Sequence, residues 1–174
     1  MTSKSPSTDS ETLEPPYSHR VSAARGWLEL GNIEEAESEL ADLPRAILQH
    51  PEVLLIRWEV YSHLKDWHVA LLFATVLTKA APDCPDSWIK RSYALHELKR
   101  TKEAWDSLFN VSEQFEQSPT IAYNLACYAC QLNRFEDAEL WLLKAVKNGK
   151  KSTIKKMALE DQDLTPMREF VRSM

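Results

Sequence analysis

The chain has 174 residues, of which 44% are apolar and 27% charged, and this suits one soluble globular domain or a short array of repeats. Its net charge of −5 argues against a nucleic-acid-binding protein, because such proteins bind phosphates mainly through Lys and Arg. No apolar run approaches the roughly 20 residues of a membrane helix, and the first residues lack the apolar core of a secretory signal. The three cysteines fit no disulfide framework. We therefore expect a cytoplasmic protein without membrane contact.

The first segment, residues 1–15, consists mostly of Ser, Thr, Pro and acidic residues. A segment of this composition cannot bury enough apolar surface to offset the entropy that it loses on ordering. We therefore predict a disordered tail. It is either a plain solubilising leader or a segment whose serines are modified.

From Tyr17 onward the apolar residues follow the period of amphipathic helices, and three markers recur every 34 residues. The markers are alanine, leucine and proline, at Ala36, Ala70, Ala104 and Ala138, at Leu30, Leu64, Leu98 and Leu132, and at Pro51, Pro85 and Pro119. A helical hairpin repeated at this spacing cannot bury its apolar stripe alone, so each copy packs on the next. We expect the alanines to allow close helix contact and the leucines to fill the turn end of each first helix.

The markers divide residues 16–149 into four helical hairpins. The predicted helices are 17–30 with a second helix from 33, 51–64 with 67–80, 85–98 with 101–115, and 119–132 with 134–147. Pro44 is expected to end the second helix early. Asn32, Asp66 and Asn133 are the predicted N-caps, since their side chains accept hydrogen bonds from free N–H groups at a helix start.

The 34-residue period is lost after Asn148-Gly149. We expect Gly149 to end the preceding helix in the left-handed conformation. One short helix is predicted over 154–159 and another from Thr165, as its N-cap, through Met174. We interpret residues 150–174 as a capping element, because the last unit of a repeat array must present a polar outer face.

This pattern resembles the tetratricopeptide repeat family, whose hairpins recur every 34 residues. Trp88 and Leu125-Ala126 match the early Trp and the mid-helix Leu-Gly pair of the family, and the segment MALEDQDLTPM looks like the tail that closes some bacterial members. The resemblance implies an all-α, right-handed superhelical solenoid of helix-turn-helix repeats. Arg57 and Arg91 depart from the pattern, and we expect their stems to lie along apolar surface while their heads reach water or an acid.

The resemblance also implies a concave groove, lined by the first helix of each unit, that binds a peptide or helix of another protein. Carried over by position, its lining residues are Val21, Arg25, Leu28, Leu55, Glu59, Ser62, Ile89, Tyr93, His96, Tyr123, Cys127 and Cys130. The version of this groove that clamps a terminal carboxylate is not expected here. Val21 and Ile56 stand where that clamp has Lys and Asn.

Four of these lining positions lie one period apart and are all apolar, namely Val21, Leu55, Ile89 and Tyr123. A large exposed apolar patch usually marks a contact site, and tyrosines such as Tyr93 and Tyr123 are enriched at binding hot spots. We therefore predict a non-catalytic adaptor without a cofactor, whose partner is a protein or peptide. The alternative is that adjacent helices, or the chain's own tail, already cover the row.

Two further functions stay open at this point. In the first, the apolar groove or an end face joins a second copy and the protein is a homo-oligomeric scaffold. In the second, the Cys127-Cys130 pair is a thiol or metal site together with His63 and His96. The sequence predicts no enzyme, because it has no phosphate-binding glycine loop, nucleophile elbow or HExxH motif.

Overall fold

The computed structural model describes residues 12–174, and over this range the chain is all-α, with ten α-helices and two short 3-10 turns. The tail predicted for residues 1–15 lies mostly outside the described range, and its disorder stays a prediction. The helices are α1 (Tyr17–Glu29), α2 (Ile33–Ala41), α3 (Pro51–His63), α4 (Trp67–Ala80), α5 (Pro85–Glu97), α6 (Thr101–Phe109), α7 (Pro119–Gln131), α8 (Phe135–Asn148), α9 (Lys151–Glu160) and α10 (Arg168–Ser173).

The first eight helices form four antiparallel hairpins, and each hairpin packs on the next one along the chain. The first helices lie beside one another at both ends of the array, with α1 next to α3 and α5 next to α7. The predicted all-α array of stacked hairpins is therefore confirmed. None of the helices between residues 12 and 174 is long and apolar enough to cross a membrane.

Two of the predicted N-caps are confirmed. The Asn32 side chain accepts a hydrogen bond from the Glu35 N–H at 3.3 Å at the start of α2, and Asp66 accepts one from the Val69 N–H at 3.2 Å at the start of α4. The third, Asn133, is wrong. Arg134 holds the cap position of α8 without a side-chain hydrogen bond, and Asn133 belongs to the preceding turn.

The turn of every hairpin has the same backbone geometry, which recurs with the 34-residue period. A residue with positive φ follows each marker leucine, with φ of 76° at Gly31, 56° at Lys65, 63° at Lys99 and 58° at Asn133. The next N–H bonds the carbonyl five residues back, at 2.8 Å from Asn32 to Trp27. This is the Schellman ending of a helix, in which the left-handed residue lets the last N–H groups bond free carbonyls.

The marker alanines and marker leucines behave differently. Ala36, Ala70, Ala104 and Ala138 are all fully buried, as expected for close contact between the helices of a pair. The expectation for the leucines is wrong at the first two units, where Leu30 is 77% exposed and Leu64 is 51% exposed. These leucines are the last residues before the left-handed turn, which directs them away from the core.

The buried side chains form two apolar clusters rather than one continuous core. The first joins the opening hairpin to α3 and includes Leu40, Val53 and Ile56. Leu13, which precedes α1, is only 9% exposed and belongs to the same cluster. The second runs from α5 to α10 and includes Leu125, which is fully buried.

The third unit departs from its predicted helix bounds. The helix expected over 101–115 ends at Phe109, and a series of turns covers residues 110–117. Val111 and Ser112 are buried within these turns. The turns therefore keep the apolar side of the segment against the core although the regular helix has ended.

The C-terminal segment also corrects two expectations. Gly149 is extended, with φ −127° and ψ −175°, so it is not a left-handed helix end. A side chain would be crowded there for a different reason, because a Cβ atom would lie 3.0 Å from the Pro119 Cβ and 3.1 Å from the Ala145 oxygen. Thr165 is not an N-cap; it opens the 3-10 turn Thr165–Met167, which leads into α10.

The two unexpected arginines make their contacts with groups of neighbouring helices. Arg57 Nη2 donates to the Leu40 carbonyl at 2.9 Å, and its guanidinium lies 5.7 Å from the centre of the Phe73 ring. Arg91 Nη1 donates to the Ser107 hydroxyl. Arg57 therefore joins α3 to α2 of the preceding hairpin, and Arg91 joins α5 to α6 of its own hairpin.

Candidate protein-binding groove

The predicted apolar row along the first helices is not continuously exposed. Val21 is 1% exposed and Tyr123 is 5% exposed, whereas Leu55 and Ile89 are half-buried. Val21 belongs to the first apolar cluster, and Ile89 packs against the second. The expectation of an uninterrupted row is corrected at both ends.

The chain's own C-terminal segment covers the groove at α7. Tyr123 donates a hydrogen bond to Asp161 Oδ2 at 2.8 Å, and the Cys127 thiol lies 3.5 Å from the same oxygen. Gln131 donates to the Asp163 carbonyl at 2.9 Å. The alternative in which the protein covers part of its own groove is therefore correct for this end.

The same segment reaches α5 through His96. His96 Nε2 lies 2.9 Å from Asp163 Oδ2, and Nδ1 lies 3.0 Å from the Thr101 hydroxyl. His96 is only 9% exposed, and its ring lies 5.0 Å from the Tyr128 ring. Of the predicted lining residues, His96, Tyr123 and Cys127 consequently hold the C-terminal segment in place.

Burial keeps the groups under this segment protonated. Burial and the nearby Cys127 and Asp161 raise the pKa of Tyr123 far above its usual value. Burial, followed by Asp161 and Asp163, likewise raises the pKa of Cys127 and of Cys130. A reactive or metal-binding cysteine needs the thiolate, so this environment disfavours both roles.

The four side chains of the suggested metal site do not come together. His63 lies at the exposed end of α3, where Nδ1 bonds the Glu59 carbonyl at 2.8 Å, while His96 is bonded to Thr101 and Asp163. In the part of the chain that the structure describes, no group of three or more His, Cys, Asp or Glu side chains is placed to hold a metal ion.

The open part of the groove lies along α1, α3 and α5 and consists of two adjoining hollows. The first, which we call the aromatic hollow, has a volume of about 370 Å³ and is lined by Trp58, Ser62, His63, Trp67 and Tyr93. The second, the charged hollow, has about 360 Å³ and is lined by Arg25, Leu28, Glu29, Glu59 and His63. His63 borders both.

Tyr93 is at the centre of the aromatic hollow. Its ring meets Trp67 edge-to-face with 5.5 Å between ring centres, and it meets Trp58 in the same manner at 6.4 Å. Such edge-to-face pairs are the favoured arrangement of aromatic rings and stabilise one another. Tyr93 is nevertheless 40% exposed, so the hollow presents an aromatic surface that is open to solvent.

A charged pair joins α3 and α5 beside Trp58, one of the residues that line the aromatic hollow. Lys90 Nζ lies 3.6 Å from Glu59 Oε1 and 4.2 Å from the centre of the Trp58 ring. The lysine is therefore held by a carboxylate and an indole face together. It fixes Trp58 while the Tyr93 and Trp67 rings stay open to the hollow.

Five of the predicted lining residues meet in the two hollows, and they are Arg25, Leu28, Glu59, Ser62 and Tyr93. Sequence reasoning missed Trp58 and Trp67 as lining residues. Trp67 is the first residue of α4, and the rule that first helices line the groove does not include it. The sequence feature that could have indicated Trp67 is its position directly after the Asp66 cap, at the end of the turn that joins α3 to α4.

Comparison with known proteins identifies the fold. No protein-family model and no curated protein sequence matches this chain. Solved structures do match it. A MamA fragment from Desulfovibrio magneticus RS-1 superposes with a TM-score of 0.69 at 18% identity, covering 90% of this chain and 92% of that one. PilW, a type IV pilus biogenesis factor, gives 0.71 at 15%, covering 84% of this chain and 69% of PilW.

The chain has a tetratricopeptide-like fold. A double mutant of MamA RS-1 gives a consistent result, with a TM-score of 0.68 at 11% identity over 78% of this chain and 76% of that one. At identities this low, the likeness establishes the helical-repeat fold and nothing further about the site.

Proposed function

We propose that this protein is a non-catalytic adaptor that holds a segment of a partner protein in the open part of the groove, along α1, α3 and α5. The observation that carries the proposal is the aromatic hollow, where Trp58, Trp67 and Tyr93 form a fixed surface that solvent reaches. Large aromatic side chains dominate binding hot spots, because they bury much apolar area at a low cost in side-chain entropy.

The proposed partner segment is short, because the C-terminal segment already covers the groove at α7. Three neighbouring helices at the usual spacing of 8–10 Å span about 20 Å. An extended chain covers that distance with about six residues at roughly 3.3 Å each. The segment would therefore present one or two anchoring side chains rather than a long helix.

The charged hollow would orient the segment. Arg25, Glu29 and Glu59 present both signs of charge beside Leu28, whose own side chain is buried. Polar groups around a buried aromatic centre add specificity more than affinity. We also place the adaptor in the cytoplasm, where its three free thiols, Cys84, Cys127 and Cys130, would stay reduced.

Affinity capture from an extract of the cells that produce the protein tests this proposal. The wild type is compared with a Trp67→Ala, Tyr93→Ala double variant and with a control, Phe135→Ala, because Phe135 is 39% exposed and matches Tyr93 at 40%. We expect proteins that the wild type and the control retain to fall at least tenfold on the double variant. Equal retention on a double variant that keeps its helical circular dichroism contradicts the proposal.

Self-assembly is a second candidate function, favoured by the outer helices. Phe109 of α6 is 48% exposed, and Leu140 and Leu143 of α8 are 64% and 51% exposed. Exposed apolar groups on neighbouring helices are a usual feature of contacts between copies. Sedimentation over a hundredfold range of concentration tests this candidate, and a monomer throughout removes it.

A further inference from the structure

The chemistry of the aromatic hollow defines the kind of side chain that it accepts, an inference that rests on the proposed function. His63 Nδ1 lies 2.8 Å from the Glu59 carbonyl oxygen, and a carbonyl only accepts, so this nitrogen carries the proton. In the neutral ring, Nε2 is then an acceptor. Ser62 Oγ donates to the same carbonyl at 2.8 Å, which leaves its lone pairs for a ligand. The His63 and Ser62 side chains therefore both offer acceptors in the hollow.

The electrostatic surroundings of Tyr93 are negative. Burial raises the pKa of the Tyr93 hydroxyl, and Glu97, Asp163 and Asp161 raise it further. Lys90, a cation of the same helix as Tyr93, is already paired with Glu59. These carboxylates would attract an additional positive charge in the hollow and repel a negative one.

The aromatic rings add a third attraction for a cation. The face of an indole or phenol ring carries negative charge and attracts ammonium and guanidinium groups within about 6 Å. Lys90 Nζ, 4.2 Å from the Trp58 ring centre, already makes such a contact with one of the rings that line the hollow. The Trp67 and Tyr93 rings provide further faces that solvent reaches.

We propose that the aromatic hollow takes a basic side chain, arginine above all, of the segment bound in the groove. A guanidinium group would stack on Trp67 or Tyr93 while its N–H groups donate to His63 Nε2 and Ser62 Oγ. Arginine suits this surface better than lysine, because its group is planar and has donors at several positions. The partner is therefore a protein with a short segment that exposes a basic residue.

Selection from a displayed library of random twelve-residue peptides tests this proposal. The wild type is the bait, and the Trp67→Ala, Tyr93→Ala variant removes peptides that bind elsewhere. We expect the selected peptides to share one Arg or Lys position. Replacing an Arg at that position by citrulline, or a Lys by norleucine, removes the charge and keeps most of the side chain, and it should weaken binding at least tenfold by fluorescence anisotropy.

The outcomes separate this inference from the proposed function. Peptides that depend on the hollow but share an apolar or acidic anchor overturn the basic-anchor proposal and leave the adaptor function standing. A selection that enriches no peptide over the double variant contradicts both. As an independent check, Glu97→Gln should weaken the basic peptides several-fold, whereas Glu136→Gln, an exposed carboxylate of α8, should not change their binding.

Discussion

The Tyr123 hydroxyl donates a hydrogen bond to Asp161 Oδ2 at 2.8 Å, across 38 residues of sequence. This contact joins the first helix of the fourth hairpin to the segment after α9. It explains why Tyr123, a lining residue by its position in the repeat, is buried. The usable groove therefore lies toward α1, α3 and α5, where the aromatic hollow is open.

Removing Asp161 should loosen this end of the protein. Asp161→Ala leaves the buried Tyr123 hydroxyl without its acceptor and removes the bond to the Asp163 N–H, which lies 2.9 Å from Asp161 Oδ1. We expect the free energy of unfolding to fall by about 1–3 kcal/mol, measured by urea denaturation. The exposed neighbour Gln162 is the control, and Gln162→Ala should change the stability by less than about 0.5 kcal/mol.

The same variant should expose the thiols. Cys127 is 4% exposed and Cys130 is 2% exposed beneath the C-terminal segment. We expect both to react faster with a disulfide reagent in the Asp161→Ala variant than in the wild type. Unchanged stability and unchanged thiol reactivity together would show that the segment does not depend on this contact.

Alkaline pH should destabilise the protein through Cys127. Burial, with Asp161, raises the pKa of this thiol well above its usual value, so the folded chain keeps a proton that the unfolded chain loses near pH 8.5. The contribution of this thiol to the free energy of unfolding is full below that pH. It falls as the pH rises toward the pKa that the thiol has in the folded chain. Between pH 7.5 and 9.5 the wild type should lose about 1 kcal/mol more than Cys127→Ala in urea denaturation.

An equal loss in the wild type and in Cys127→Ala would mean that the thiol ionises as easily in the fold as in the unfolded chain. Tyr123 contributes only at higher pH, because the unfolded pKa of tyrosine is about 10. The comparison at pH 9.5 therefore isolates the cysteine.

The repeat and its helices could be predicted because they depend on local patterns that recur. The 34-residue period predicts the four hairpins. The side chains of Asn32 and Asp66 predict the caps of α2 and α4, because each can accept a hydrogen bond from a free N–H group. The left-handed geometry of two of the turns could not be predicted, because a lysine, here Lys65 or Lys99, does not indicate a left-handed backbone. Asn133 was predicted as the cap of α8, whereas it is the left-handed residue of the preceding turn.

The left-handed lysines offer a test of that turn geometry. Lys99 has φ 63°, where a side chain costs energy and glycine does not. We expect Lys99→Gly to raise the free energy of unfolding by about 0.5–1 kcal/mol. Glu139→Gly, at an exposed position within α8, should instead lower it by about 1 kcal/mol. A lower free energy of unfolding in both variants would contradict the left-handed conformation of Lys99.

The candidate site was less predictable than the fold for two reasons. Residues 161–163 cover Tyr123 and His96, and no local sequence pattern predicts a contact between residues so far apart in the chain. Trp67 lies on a second helix, outside the positions that the repeat pattern assigns to the groove. Tyr93, on the first helix α5, lies in the aromatic hollow at a position that the repeat pattern does assign to the groove.

Nuclear magnetic resonance of the six tryptophan indole N–H groups gives the most direct test of the groove, using a ¹⁵N-labelled protein titrated with the tightest peptide from the library. Trp58 and Trp67 line the aromatic hollow, whereas Trp105 and Trp141 pack together on the second helices α6 and α8. We expect the Trp58 and Trp67 signals to shift in a saturable manner while those of Trp105 and Trp141 stay in place. Shifts confined to Trp105 and Trp141, or an unchanged spectrum, would contradict a binding site in this hollow.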